Sequence, residues 1–175
     1  MRKKLLSRRK KAQSPITAKT EGHILYLERK FDAPRELVYE AYTKAEHLAR
    51  WWGPAGWTVP VCKVELHPGG SWHYCMESPD GTVKSWGKAI YREINEPEQL
   101  VYNDYFSDEE GHIDPEAPGL LITLGFHEED GATKVVNRAE YASPEALRNS
   151  LNMVVAGMNQ TWERLADYLQ SIQSK

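Results

Sequence analysis

The feature that most constrains this chain lies near its C-terminal end. Leu147, Leu151, Val154, Val155, Met158, Trp162, Leu165 and Leu169 keep a three–four rhythm, while Arg148, Glu163, Arg164 and Asp167 fall on the other face. A helix of that length with a single apolar stripe gains most of its stability from laying the stripe on something else. Ser143 suits the N-cap, Pro144 the first helical position and Glu145 the positive helix end, so one helix is expected from Ser143 to Ser171.

The preceding segments supply the surface it needs. His23 to Phe31 alternates as a strand and Asp32-Ala33-Pro34 stops it. Pro34 opens a helix to about Lys44, with Leu37, Val38, Ala41 and Tyr42 on one face. A second short helix is expected from Ala45 to Trp52. Its Leu48, Trp51 and Trp52 stand at i, i+3 and i+4, and Gly53-Pro54 ends it. Strands then follow in series at Thr58 to Leu66, Ser71 to Glu77, Thr82 to Ile94, Gln99 to Phe106, Leu120 to Glu128 and Thr133 to Ala142. Gly87 is expected to mark a bend or bulge. The acidic stretch 107–118 reads as a loop. The pattern is α+β: a curved antiparallel sheet of about seven strands, one apolar face of which the long helix covers. A straight helix meets a curved sheet less closely at one end, and the gap left there becomes a cavity. The short helices would lie at its mouth and the 107–118 loop would act as a mobile lid.

Composition narrows the function. At 175 residues, 41% of them hydrophobic and 10% aromatic, the chain suits one domain with a sizeable core, read as 23–172 after a basic, flexible tail at 1–22. Residues 1–20 hold eight basic side chains and no acid, leaving 14 basic against 25 acidic groups in the rest. The domain itself would therefore repel nucleic acid. The segment Met1 to Lys11 lacks the apolar stretch of a signal peptide, and no run is long enough to span a membrane, so a cytoplasmic protein is expected. Cys62 and Cys75 read as free thiols rather than a disulfide.

Five dispersed pieces carry a resemblance: "FDAPRELVYEAYT", "WWGPAGWTVP", "HPGGSWHYCMESPDG", "REINEPEQLVY" and "GMNQTWERLADYL". With the element order above, the chain resembles the SRPBCC (START-like) superfamily, in the branch related to the ATPase activator of the ninety-kilodalton heat-shock chaperone. The resemblance covers residues 23 to 170 and implies the helix-grip fold. It also makes a chaperone a conceivable partner. Met158 stands where this branch often has tryptophan, which implies a softer cavity wall.

The residues expected around the cavity follow from parity and position. Trp51 and Trp52 flank the helix end and either plug the core or wall the cavity. Trp72, Tyr74 and Met76 share one face of their strand, as do Tyr102, Asp104 and Phe106 of theirs. If inward, Asp104 needs a partner, for which Asn137 and Arg138 are candidates; an outward surface ion pair is the alternative. Val154, Gly157 and Met158 supply the helix side, where Gly157 either leaves room or marks close packing. No HxxxH, CxxC, GxSxG, phosphate-binding or dinucleotide glycine pattern occurs, so no catalytic set, metal or cofactor is read. The first functional expectation is a binding module for an apolar small molecule, acting as a monomer or weak homodimer. A cyclase- or hydratase-type enzyme using the same cavity is the second, favoured if a shifted carboxylate lies inside. A co-chaperone-like regulator is the third.

Overall fold

Alternation along the chain is realised as a single antiparallel sheet. The computed structural model describes residues 15–174, so the basic segment Arg2 to Lys11, expected as a flexible tail, lies outside them. The strands are β1 (Thr17–Glu21), β2 (Ile24–Phe31), β3 (Thr58–Val64), β4 (Ser71–Glu77), β5 (Lys84–Asn95), β6 (Gln99–Phe106), β7 (Leu120–Glu129) and β8 (Ala132–Glu140). They lie side by side as β1-β2-β8-β7-β6-β5-β4-β3. The helices α1 (Arg35–Thr43) and α2 (Ala45–Trp51) connect β2 to β3, and α3 (Pro144–Gln173) closes the chain. The α+β reading and the order of elements hold.

Two details differ from expectation. The sheet has eight strands because Thr17–Glu21, assigned to the tail, pairs with β2 from Thr17 opposite Glu28 to Glu21 opposite Ile24. All five residues are exposed. A polar edge strand has no apolar alternation to reveal it, and its lysine suits an edge that must not pair further. Gly87 makes no bulge, since β5 stays in register with both neighbours there and the irregularity falls between Tyr91 and Glu93. Gly87 makes room instead: a Cβ there would stand 2.5 Å from the Tyr74 ring.

The helix α3 is anchored at one half only. Ser143 caps it, accepting the Ala146 N–H at 3.0 Å. In its C-terminal half Trp162, Leu165 and Leu169 are buried. Trp162 meets Phe31 edge-on at 5.8 Å and donates its Nε1–H to the Tyr42 hydroxyl at 2.7 Å. Each large side chain buried this way is worth about 1.5–3 kcal/mol. Arg29 of β2 also points inward here, its guanidinium 5.3 Å from the Phe31 ring centroid and 3.7 Å from Glu163. In the N-terminal half only Leu147 is buried, while Leu151, Val154, Val155 and Met158 are half-exposed. The backbone of α3 approaches α2, β2 and α1 most closely. Those four side chains pack against the buried core yet stay partly open to solvent, and with the partly open Trp52 and Met76 they mark the candidate cleft.

Candidate functional site

The cleft wall is fixed by aromatic packing that starts in the core. Tyr42 contacts Trp51 edge-on at 4.7 Å, Trp51 contacts Trp52 at 5.5 Å, and Trp52 contacts Trp72 at 4.7 Å and Tyr74 at 5.9 Å. Such edge-to-face pairs hold their rings in set orientations. Trp51 is a core residue: it is fully buried and its Nε1–H donates to the Ala41 carbonyl at 3.0 Å. Trp52, half-exposed, is the tryptophan that faces the cleft. The glycine–proline exit from α2 is held from across the fold. Arg164 of α3, placed by its periodicity on the outer face, donates from Nη1 to the carbonyls of Trp52, Gly53 and Pro54 at 3.0, 3.0 and 3.1 Å. A cation on these carbonyls complements the negative end of the helix.

The floor is built by register. Trp72 of β4 lies opposite Ala89 of β5, which lies opposite Asp104 of β6. In the next row Tyr74 faces Gly87 and Gly87 faces Phe106. The small residues of β5 keep the floor low, and Tyr74 lies across Gly87 towards β6. Trp72 and Tyr74 are 4.6 Å apart and nearly buried. Met76 packs its sulfur beside Gly53. Asp104 is inward-facing, so the surface ion pair is excluded. Burial pushes its carboxyl up to about 7, opposed only by the backbone N–H of Tyr105. The same carboxylate and burial raise the Tyr74 and Tyr102 hydroxyls well above the usual tyrosine range, burial being the larger cause.

The expected residues do not all assemble. Trp52, Trp72 and Tyr74 are in ring contact and Met76 lies beside Gly53, while Tyr102 and Asp104 share the inner face of β6 and Val154 and Met158 lie on the partly covered stripe of α3. Phe106 is 64% exposed because its strand runs past the covered part of the sheet. Asn137 is inward but remote: it pairs with Leu124 whereas Asp104 pairs with Leu120, about 13 Å along β7. Arg138 is on the opposite face, 3.3 Å from Glu140. A Cβ on Gly157 would meet nothing within 4 Å, so close packing is not its role. The thiols of Cys62 and Cys75 are free, as expected. Sequence reasoning missed Cys62, which borders Trp72 on the inner face, and Arg164, whose cross-fold partners leave no periodic signal.

The 107–118 loop is not a lid. His73 and Lys88, both on the outer face, contact the Asp108 carbonyl at 3.0 Å and the Gly111 carbonyl at 3.0 Å. Ser107 bridges to Ile113. These contacts tie the loop to the back of the sheet. Two open hollows of about 530 Å³ also lie on the back, one walled by Tyr26, Arg35, Asn95, His127 and Arg138, the other over β1. Arg35 and Arg138 in the first are engaged with Glu98 and Glu140. The Nε1 atoms of Trp52 and Trp72 are buried without a hydrogen-bond partner, as is the Nε of Arg35 beside the first hollow.

With this geometry stated, kinship can be read. The family model described as activator of Hsp90 ATPase homolog 1-like protein matches residues 32–170. The chain belongs to this family. A solution structure of a Staphylococcus epidermidis protein is similar, with 31% identity, 89% of this chain and 94% of that one covered, and a TM-score of 0.80. A crystal structure of a Mycobacterium smegmatis protein shares 28% identity, covering 90% and 96%, with a TM-score of 0.76. The AHSA1 protein of Silicibacter pomeroyi, at 21% identity and a TM-score of 0.67 over 84% and 97%, has the same fold. No curated protein matches. Among the described residues no helix is long and apolar enough to cross a membrane.

Proposed function

We propose that the chain is a binding module that holds an apolar small molecule between the N-terminal half of α3 and β4–β6. The observations that carry this reading are the partly exposed stripe Leu151, Val154, Val155 and Met158 and the aromatic group Trp52, Trp72 and Tyr74 at the end of α2. Covering such a stripe and floor at about 25 cal/mol per Å² supports micromolar binding. Titration with N-phenyl-1-naphthylamine should give saturable probe emission. Trp52→Ala should weaken it about tenfold, a loss of roughly 1.4 kcal/mol. Trp86→Ala should leave it unchanged, because Trp86 stacks on His73 at 5.2 Å on the back of the sheet. Absence of saturable binding overturns the reading.

Asp104 favours one competing reading, a proton-transferring enzyme working in the same cleft, because a carboxyl held up to about 7 exchanges protons readily near neutrality. It is favoured if a ligand retained on purification gains deuterium in heavy water and Asp104→Asn stops that exchange. The co-chaperone role in the family's description is a third reading, tested by whether the protein raises the chaperone's ATPase rate; a cleft binder leaves it unchanged.

A further inference from the structure

A glycine inside a long helix needs a reason, because glycine is the poorest helix former after proline. Gly157 lies well within α3, which runs unbroken from Pro144 to Gln173. Two usual reasons fail: its φ is not positive, and a Cβ there would meet nothing within 4 Å. The property left to it is backbone freedom. The ties of α3 to the fold differ sharply on either side of this residue. On the C-terminal side Trp162 and Leu165 are buried, Trp162 bonds to Tyr42, Arg164 holds the carbonyls after α2, and Gln160 accepts the Ala55 N–H at 3.1 Å. On the N-terminal side the next buried side chain is Leu147. Among the described residues no hydrogen bond or ion pair joins residues 148–159 to a strand or to another helix, and Ser150 bonds only back into α3. A stretch held so lightly opens locally before the domain unfolds.

Thr161 completes a hinge. Its buried hydroxyl donates to the Gly157 carbonyl at 2.9 Å. The same carbonyl is the acceptor for the helix bond from the Thr161 N–H, so it keeps a partner when that turn is stretched. Side-chain bonds of this kind bend helices. A helix is convex on the side whose bonds lengthen. Thr161 is on the core side, so the bulge points inward. The supports are Leu147, ten residues before Gly157, and Trp162, five after it. Between them a bend of about 20° would carry the middle of the helix inward by roughly 2 Å, at 1.5 Å of rise per residue.

We propose that α3 bows at Gly157 and that the bow presses Val154 and Met158 onto a molecule held in the cleft, which makes Gly157 a positioning residue for the ligand. This rests on the cleft being a small-molecule site, and the two claims have separate readouts. Gly157→Ala fills open space, so the variant should fold and melt about 2–4 °C above wild type. Hydrogen exchange of the free protein reads the bow. In wild type, after correction for intrinsic rates, the amides of residues 157–161 should exchange at least about tenfold faster than those of 165–169. Gly157→Ala should narrow that ratio about fivefold, the factor alanine gains over glycine inside a helix. Stopped-flow binding of N-phenyl-1-naphthylamine reads the action on the ligand. Dissociation should be about fivefold faster in Gly157→Ala with association unchanged, so that the more stable protein holds the probe less well. Thr161→Val keeps the buried shape, removes the donor and should shift both readouts the same way. Uniform slowing of exchange in Gly157→Ala overturns the bow, and a narrowed ratio with unchanged dissociation overturns its action on the ligand. Failure of the probe to bind wild type overturns the cleft, and the exchange ratio alone then decides the bow.

Discussion

Asp104 has a consequence for stability. Its carboxyl is raised in the folded protein to about 7, from an ordinary value of 3.8, by burial. Folding therefore takes up a proton between these limits. The stability tied to the neutral acid is fully present below pH 4 and is lost as pH rises through about 7. Asp104→Asn should abolish that dependence. At pH 8 the variant is expected to be more stable than wild type by on the order of 2–4 kcal/mol, the difference vanishing near pH 4. Denaturant melts at the two pH values measure it, and a variant less stable at pH 8 would refute the inward placement. The parity of Tyr102, Asp104 and Phe106 was legible in the sequence, but which way their shared face points was not. Alternation gives two faces and names neither. Phe106 shows the other limit, because alternation continues past the point where anything covers the strand.

At the scale of elements, what was legible is whatever repeats locally. The stripe of α3, the Ser143 cap and the glycine–proline end of α2 each declare themselves within a few residues, and each stands close to its expected bounds. Contacts between distant elements do not declare themselves. Arg164 is spaced like a solvated residue, yet it joins α3 to the end of α2 across the fold through three carbonyls at 3.0–3.1 Å. Arg164→Met keeps the stem and removes the donors. It should cost about 1–3 kcal/mol, part from the lost hydrogen bonds and part from the lost cation at the helix end. Amide hydrogen exchange should rise at residues 52–57 more than in β7 or β8, whereas a uniform rise would show that Arg164 acts only through global stability. Gly87 teaches the same lesson from the other side. A lone strand glycine predicts a bend, and only the three-dimensional position of Tyr74 explains why a side chain is missing there.

For the molecule as a whole, the domain begins earlier than its hydrophobic pattern does. Ile16 packs against the core and β1 covers the free edge of β2. Deletion through Gln13 removes none of these contacts, whereas deletion through Gly22 removes them all. The longer deletion should melt several degrees below the shorter one, at about 2–4 °C per kcal/mol lost, and equal melting temperatures would show β1 to be ornamental. The loop held against the back of the sheet carries a last consequence, in time rather than affinity. With His73 and Lys88 keeping residues 108–111 on the far side, that segment does not close over the cleft, and a bound molecule need not wait for it to open. Arrival would be set by encounter, at about 10⁵–10⁷ per molar per second, so a micromolar complex would survive for roughly 0.1 to 10 seconds. On the binding reading proposed above, such a protein would suit traffic, taking up cargo and handing it on within seconds, and would be a poor place to keep a molecule in store.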